Sequence, residues 1–237
     1  MGRAFEFRKA RKMKRWGKMA VTFTRIGKEI AMAVKEGGPD PDNNARLRMV
    51  IQNAKSENMP KDRVEAAIKR ASDKDSSHYD EVLYEGKGPF GVGLMIETAT
   101  DNLNRTVANI RAIFRKNSGE LGTSGSQEFN FERKCIFKIE LADRDLEELE
   151  LDLIDFGCEE IEQVEDETLI YTGFSDFGNM QKGLESLGIE IVSVDTERIP
   201  HNTVALTDEQ KEEVNNLLEK LEEDEDIQNV FHNAELS

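Results

Sequence analysis

KCIFKIELADRDLEELELDLIDFGCEEIEQVEDETLIYTGFSDFGNMQKGLESLGIEIVSVDTE, residues 134–197, carries six elements in one fixed order. Lys134–Leu141 is rich in apolar, β-favouring residues and predicts a strand. A helix follows near Asp145–Phe156, because Leu146, Leu149, Leu153 and Phe156 recur at the spacing of one helical face. Glu160–Val164 and Thr168–Thr172 read as strands about the turn Glu165-Asp166. Asp176–Leu187 is a second helix and Ile189–Asp195 the closing strand. The order βαββαβ is that of the ferredoxin-like split βαβ arrangement, and the connections are short.

Working outward, the same order is spelled again around this stretch. Gly91–Thr100 predicts a strand, and Asp101-Asn102 caps a helix that places Leu103, Val107, Ile110 and Phe114 on one face. Arg105, Arg111 and Arg115 lie on its other face. Asn117–Gly125 is turn-rich, and Gln127–Phe131 is again extended. Beyond residue 197, a strand at Asn202–Leu206 leads to Thr207, whose partner Gln210 completes a capping box for the helix Asp208–Glu223. Val214, Leu217, Leu218 and Leu221 face inward, and Ile227–His232 is a last short strand. Residues 80–131 with 202–237 therefore form a discontinuous ferredoxin-like domain, and the acidic unit 134–197 is inserted in it.

The first third of the chain differs in kind. The 237 residues carry a net charge of −16. Residues 1–70 hold 18 Lys and Arg against 8 Asp and Glu, a net of +10, so residues 71–237 hold 14 against 40, a net of −26. Such asymmetry is the signature of polyanion binding by one part. Eight of the basic residues fall between Arg3 and Lys18, with Glu6 the one acid among them. From Lys18 onward Met19, Phe23, Ile26, Ile30, Ala33 and Val34 share a helical face, and Gly37-Gly38-Pro39 ends the helix. Arg11, Lys14, Lys18 and Arg25 align opposite that face if the helix reaches back through Gly17. An arm that orders on contact fits the same residues equally well. Trp16, Phe5 and Phe7 either stack on unpaired bases or anchor the arm to the helical core. Two shorter helices follow: Asn43–Asn58, with Leu47, Val50, Ile51 and Ala54 inward, and a second begun by Pro60, with Val64, Ala67, Ile68 and Ala71 inward. Residues 1–76 thus form a basic three-helix domain, and the fold class is α+β.

Arg8, Lys9, Arg11, Lys12, Lys14, Arg15, Lys18 and Arg25 are the expected phosphate contacts, with Arg46, Arg48 and Lys55 as a second set. Other chemistry finds little support. Gly86, Gly88 and Gly91 match G-x-G-x-x-G, but a strand rather than a helix follows and Pro89 interrupts, so the segment is a turn. His78, His201 and His232 stand far apart, and neither Cys135 nor Cys158 has ligand-spaced company, so no metal site is expected. No partnered nucleophile or nucleotide loop is visible, and no catalytic residue or cofactor is assigned. Residues 143–176 hold fourteen Asp and Glu around one Arg144, which reads as a solvated acidic face or a surface for a basic protein partner. The rival in another class is a metal-dependent enzyme at the cleft between domains. No apolar run is long enough for a membrane span, no secretory signal is visible and no heptad is present, so a cytoplasmic monomer is expected.

GGPDPDNNARLRMVIQNAKSENMPKDRVEAAIKRA (37–71), YEGKGPFGVGLMIETATDNLNRTVANIRAIFRKNSGELGTSGS (84–126), IPHNTVAL (199–206) and EEDEDIQNVFHN (222–233) resemble the YebC/PmpR family. The resemblance covers nearly the whole chain. It implies a three-domain cytoplasmic protein, one helical and two ferredoxin-like domains, that regulates transcription by binding DNA. Some relatives act instead as translation factors at the ribosome, which leaves ribosomal RNA or tRNA as the alternative partner. The family supplies no catalytic residue. The chain departs from the family's usual opening, a Ser-Lys-Trp stretch with a His-Arg-Lys cluster: it begins Arg3-Ala4-Phe5-Glu6-Phe7-Arg8-Lys9 and has its Trp at position 16. Arg8-Lys9 keeps the basic character, and no base-specific contact is carried over.

Overall fold

Asn44 shows how local chemistry sets the first turns of the chain. Its extended backbone (φ −127°) lets the side chain accept from Leu47 N and so cap the second helix. The same side chain donates to the carbonyls of Ala33 and Gly38, at 2.7 and 2.8 Å, tying the end of one helix to the start of the next. Gly38 adopts φ +85°, the left-handed conformation that terminates helices and favours glycine. In this computed structural model, which describes residues 19–73, 78–141, 144–164 and 167–236, three helices result: α1 (Met19–Gly37), α2 (Ala45–Ser56) and α3 (Lys61–Ser72). Ile26, Ile30, Ala33, Val34, Leu47, Val50, Ala54, Val64, Ala67 and Ala71 form their core. These are residues the helical period places inward. Lys28 is the exception, an ammonium-bearing side chain buried on α1.

Two four-stranded antiparallel sheets follow. The first contains β1 (Asp80–Lys87), β2 (Gly93–Thr100), β3 (Glu120–Leu121) and β8 (Ile227–His232), in the order β3-β1-β2-β8. The helices α4 (Leu103–Lys116) and α7 (Asp208–Glu222) cover one face, where Leu94, Ile96, Ile110, Phe114, Val214, Leu217 and Leu221 are fully buried. Asn102 caps α4, and Thr207 with Gln210 forms the capping box of α7 that the sequence predicts. Two expectations are corrected here. The strand expected at Asn202–Leu206 is reduced to a single bridge, Val204 to Ala234, and the sheet is completed instead by β1, which lies ahead of β2 in the chain and pairs with both β2 and β3. The extended segment expected at Gln127–Phe131 is a short 3-10 turn, Glu128–Asn130, before a strand of the other sheet.

That second sheet holds β4 (Phe131–Ile139), β5 (Cys158–Val164), β6 (Glu167–Gly173) and β7 (Ile191–Pro200), in the order β5-β6-β4-β7. With α5 (Leu146–Leu153) and α6 (Phe177–Ser186) it has the βαββαβ connectivity read from residues 134–197. Asp145 caps α5 by accepting from Glu147 N and Glu148 N. Gly183 lets α6 approach closely: a Cβ there would stand 2.6 Å from the Phe156 ring. β4 and β7 pair from Phe131–Pro200 to Ile139–Ile191, so this ladder runs longer than the sequence suggests.

Candidate nucleic-acid interface

The helical unit is held against both sheets by polar side chains, and these contacts decide which of its cations remain open. Lys28 Nζ donates to the Ala99 carbonyl (2.9 Å), the Glu225 carbonyl (2.7 Å) and Asp226 Oδ1 (2.9 Å). Asp226 also accepts from Arg105 (2.7 Å), Thr106 (2.8 Å) and Thr100 (3.3 Å). Burial pushes the Asp226 pKa up, but the hydrogen bonds from Arg105, Lys28 and Thr106 and the Lys28 charge outweigh it and hold the group at about 2. Asn53 on α2 donates to the Val194 carbonyl (2.7 Å) and accepts from Val194 N (2.9 Å), covering the free edge of β7.

The phosphate contacts expected from sequence are placed as follows. Arg8, Lys9, Arg11, Lys12, Lys14, Arg15 and Lys18 lie outside the described residues, as do Trp16, Phe5 and Phe7. Arg25 is half-buried, and its Nη2 donates to the Glu222 carbonyl at 2.9 Å. Arg46 pairs with Glu36 at 2.6 Å and with Glu81. Burial lowers its pKa, while the bonds and charges of Glu36 and Glu81 raise it further, for a net increase. Arg48 donates to the carbonyls of Pro41 and Asp42. Lys55 is exposed. The structure therefore engages Arg25, Arg46 and Arg48 internally and leaves Lys55 open, together with Lys35 and Lys69 on the exposed surface of α1 and α3.

A cleft of about 1090 Å³ separates the helical unit from the sheets. Its charges are mixed in sign, and many are paired within it: Arg46 with Glu81, Arg198 with Glu97 (3.0 Å), and Lys138 with Glu167 (2.5 Å). The Arg133 guanidinium stands 3.5 Å over the Phe174 ring. Burial lowers its pKa, the Glu97 charge opposes that, and neighbouring Arg198 adds to it. Three of the cations lining the cleft, Arg46, Lys138 and Arg198, are thus held in ion pairs. Among the described residues no group of three or more His, Cys, Asp or Glu is arranged to hold a metal ion. Burial raises both thiols, Cys135 in β4 and Cys158 at the start of β5, to about 11, which disfavours the nucleophilic thiolate.

Sequence reasoning places a basic cluster on α4, and the structure divides it. Arg105 is bound to Asp101 and Asp226, whereas Arg111 and Arg115 are exposed. It does not anticipate Lys28, Asp226 or Glu85, whose roles depend on partners distant in the chain. The Gly/Ser-rich run from Gly119 to Ser126 is the signal that marks a shaped loop beside α4.

Residues 3–74 match the family model described as TACO1/YebC protein N-terminal domain, and residues 79–234 match that of the TACO1/YebC second and third domain. A "probable transcriptional regulatory protein" of Parabacteroides distasonis is 59% identical over 234 residues, 98% of this chain and 96% of its own. A protein of the same description from Flavobacterium johnsoniae is 61% identical over 232 residues, covering 98% of each. The crystal structure of a conserved hypothetical protein from Aquifex aeolicus is 36% identical, with a TM-score of 0.76 over 92% of this chain and 90% of that one.

Proposed function

Because the chain belongs to the TACO1/YebC family, we propose that it is a DNA-binding transcriptional regulator that grips phosphates through its basic N-terminal domain and performs no catalysis of its own. The observation that carries this reading is the segregation of charge, +10 in residues 1–70 against −26 in the rest. A basic end on an acidic body binds a polyanion in one orientation, because the body is repelled while the grip is attracted. The names of the relatives support a regulator. The internal engagement of Arg25, Arg46 and Arg48 shifts the weight of the grip to Arg8, Lys9, Arg11, Lys12, Lys14, Arg15 and Lys18, with Lys55 as an auxiliary contact.

The same reading takes residues 1–76, 80–131 with 202–237, and 134–197 as three domains of a cytoplasmic monomer. No described helix is long and apolar enough to cross a membrane. The acidic inserted domain restrains non-specific coating of nucleic acid and offers a face to a basic protein.

The test is the salt dependence of binding to a labelled DNA duplex. Each phosphate contact contributes about 0.9 to the slope of log K against log salt. Replacing Arg8, Lys9, Arg11 and Lys14 with Gln together reduces the slope by about 3 to 4. An unchanged slope refutes the assignment. Binding to ribosomal RNA with no measurable binding to duplex DNA replaces transcription with translation as the process regulated.

A further inference from the structure

Glu85 sits within β1, is 3% exposed, and forms no ion pair among the described residues. Its carboxylate instead accepts from the backbone N–H groups of Gly125 (2.6 Å) and Gln127 (2.5 Å), and its carbonyl accepts from Gly122 N (2.7 Å). A carboxylate is buried at high cost unless its oxygens are satisfied in this way. Here the bonds fix the loop of residues 122–130 onto the first sheet. Gly93 of β2 completes the attachment, for a Cβ there would lie 2.4 Å from Gln127 Oε1, the atom that accepts from Asn130 Nδ2.

The loop so anchored presents Phe129 with 73% of its surface exposed, more than any other large apolar side chain described. In the turn joining β1 to β2, Phe90 is 43% exposed and held at φ 60°, ψ 18°. A bulky residue in the left-handed region is strained. Neither ring serves the core. Lys87 at the end of β1 and Arg111, Arg115 and Lys116 on α4, which covers the other face of the sheet, are exposed and without an ion-pair partner among the described residues. Gly119 brings the end of α4 against the end of β1: a Cβ on it would stand 2.9 Å from the Lys87 carbonyl and 3.4 Å from Gly88. Glu120 stands opposite Lys87 in the pairing of β1 with β3. In a stretch whose net charge is −26, such a cluster is a local reversal of sign.

We propose that this end of the first sheet is a second nucleic-acid contact, in which unpaired bases stack on Phe129 and Phe90 while Lys87, Arg115 and Lys116 meet the adjoining phosphates. The site rests on the reading of the chain as a nucleic-acid binder and adds the form recognised, a single-stranded segment. Aromatic platforms flanked by cations suit bases freed from pairing, since a duplex keeps its base faces stacked internally. Anchoring by Glu85 means that little ordering entropy is lost on binding.

Full-length protein is titrated with a labelled 20-nucleotide single strand and with the duplex of the same sequence, followed by fluorescence anisotropy. Phe129→Ala weakens single-strand binding by between about 5- and 150-fold, the range for one lost base stack, and leaves the duplex affinity unchanged. Phe129→Trp restores it, and Phe129→Leu, equally apolar but without a π face, does not. Because the ring is exposed, these variants retain the wild-type Tm. Full rescue by Leu overturns stacking in favour of an apolar pocket on a protein partner. Equal losses for strand and duplex, or no loss, overturn the site while the basic grip stands. Failure of the wild type to bind either form overturns both readings.

Discussion

Replacing Asp226 with Asn removes one charge and keeps the shape of the side chain, at the point where α1 meets the first sheet. Asp226 is 6% exposed at the side chain and receives Lys28, Arg105, Thr106 and Thr100. Its pKa lies at about 2 in the folded protein against an ordinary 3.8. At 1.36 kcal/mol per tenfold, that difference is worth about 2 kcal/mol of folding stability. A chain of this length unfolds with an entropy near 0.5 kcal/mol per kelvin, so the variant melts about 4 °C below the wild type at pH 7. The folded value is depressed, so the contribution is complete above pH 4 and is lost as pH falls through 2. The gap in Tm between wild type and Asp226→Asn therefore closes between pH 4 and pH 2. Circular dichroism melts of both proteins across this range measure it, and other carboxylates titrate equally in the two. A gap below 1 °C at pH 7, or one that stays constant down to pH 2, refutes the reasoning.

The edge of β7 offers a local test: Asn53→Ala leaves Val194 N–H and C=O without their side-chain partner, costs about 1–3 kcal/mol, and speeds amide exchange at Val194, whereas wild-type exchange there contradicts the bridging role. The two thiols, raised from 9.0 to about 11, hold about 100-fold less thiolate at pH 7.5 than ordinary cysteines. Labelling by a disulfide reagent is slow in the native state, with half-buried Cys158 reacting before buried Cys135, and is rapid in denaturant. A rapid native phase from either residue counts against burial as the cause.

The helices were legible because each writes its buried face and its caps within a dozen residues. Thr207 with Gln210, Asn102, and the stripe Leu47, Val50, Ala54 need no knowledge of distant residues. Strand β1 was not legible: DEVLYEGK shows no clean alternation, and one of its buried side chains is the carboxylate Glu85. Asn202–Leu206 erred the other way, since its apolar residues resemble a strand yet only Val204 finds a bridging partner. The same holds for the interface. Local density marks the basic residues, but the carbonyls and carboxylates that engage Arg25, Arg46 and Arg48 come into view only when the chain is folded.

The residues in order are enough to place the helices, the six elements of 134–197, the insertion of that α/β unit in another, and the division into a +10 end and a −26 body. Each is a property of neighbouring residues or of simple summation. The tertiary structure alone decided which charges remain exposed, because pairing joins residues as far apart as Lys28 and Asp226, 198 positions along the chain. It also decided that Phe129 stands outside the core, held there by a carboxylate 44 residues earlier in the sequence. Burial and hydrogen bonding select among the chemical groups that composition only counts.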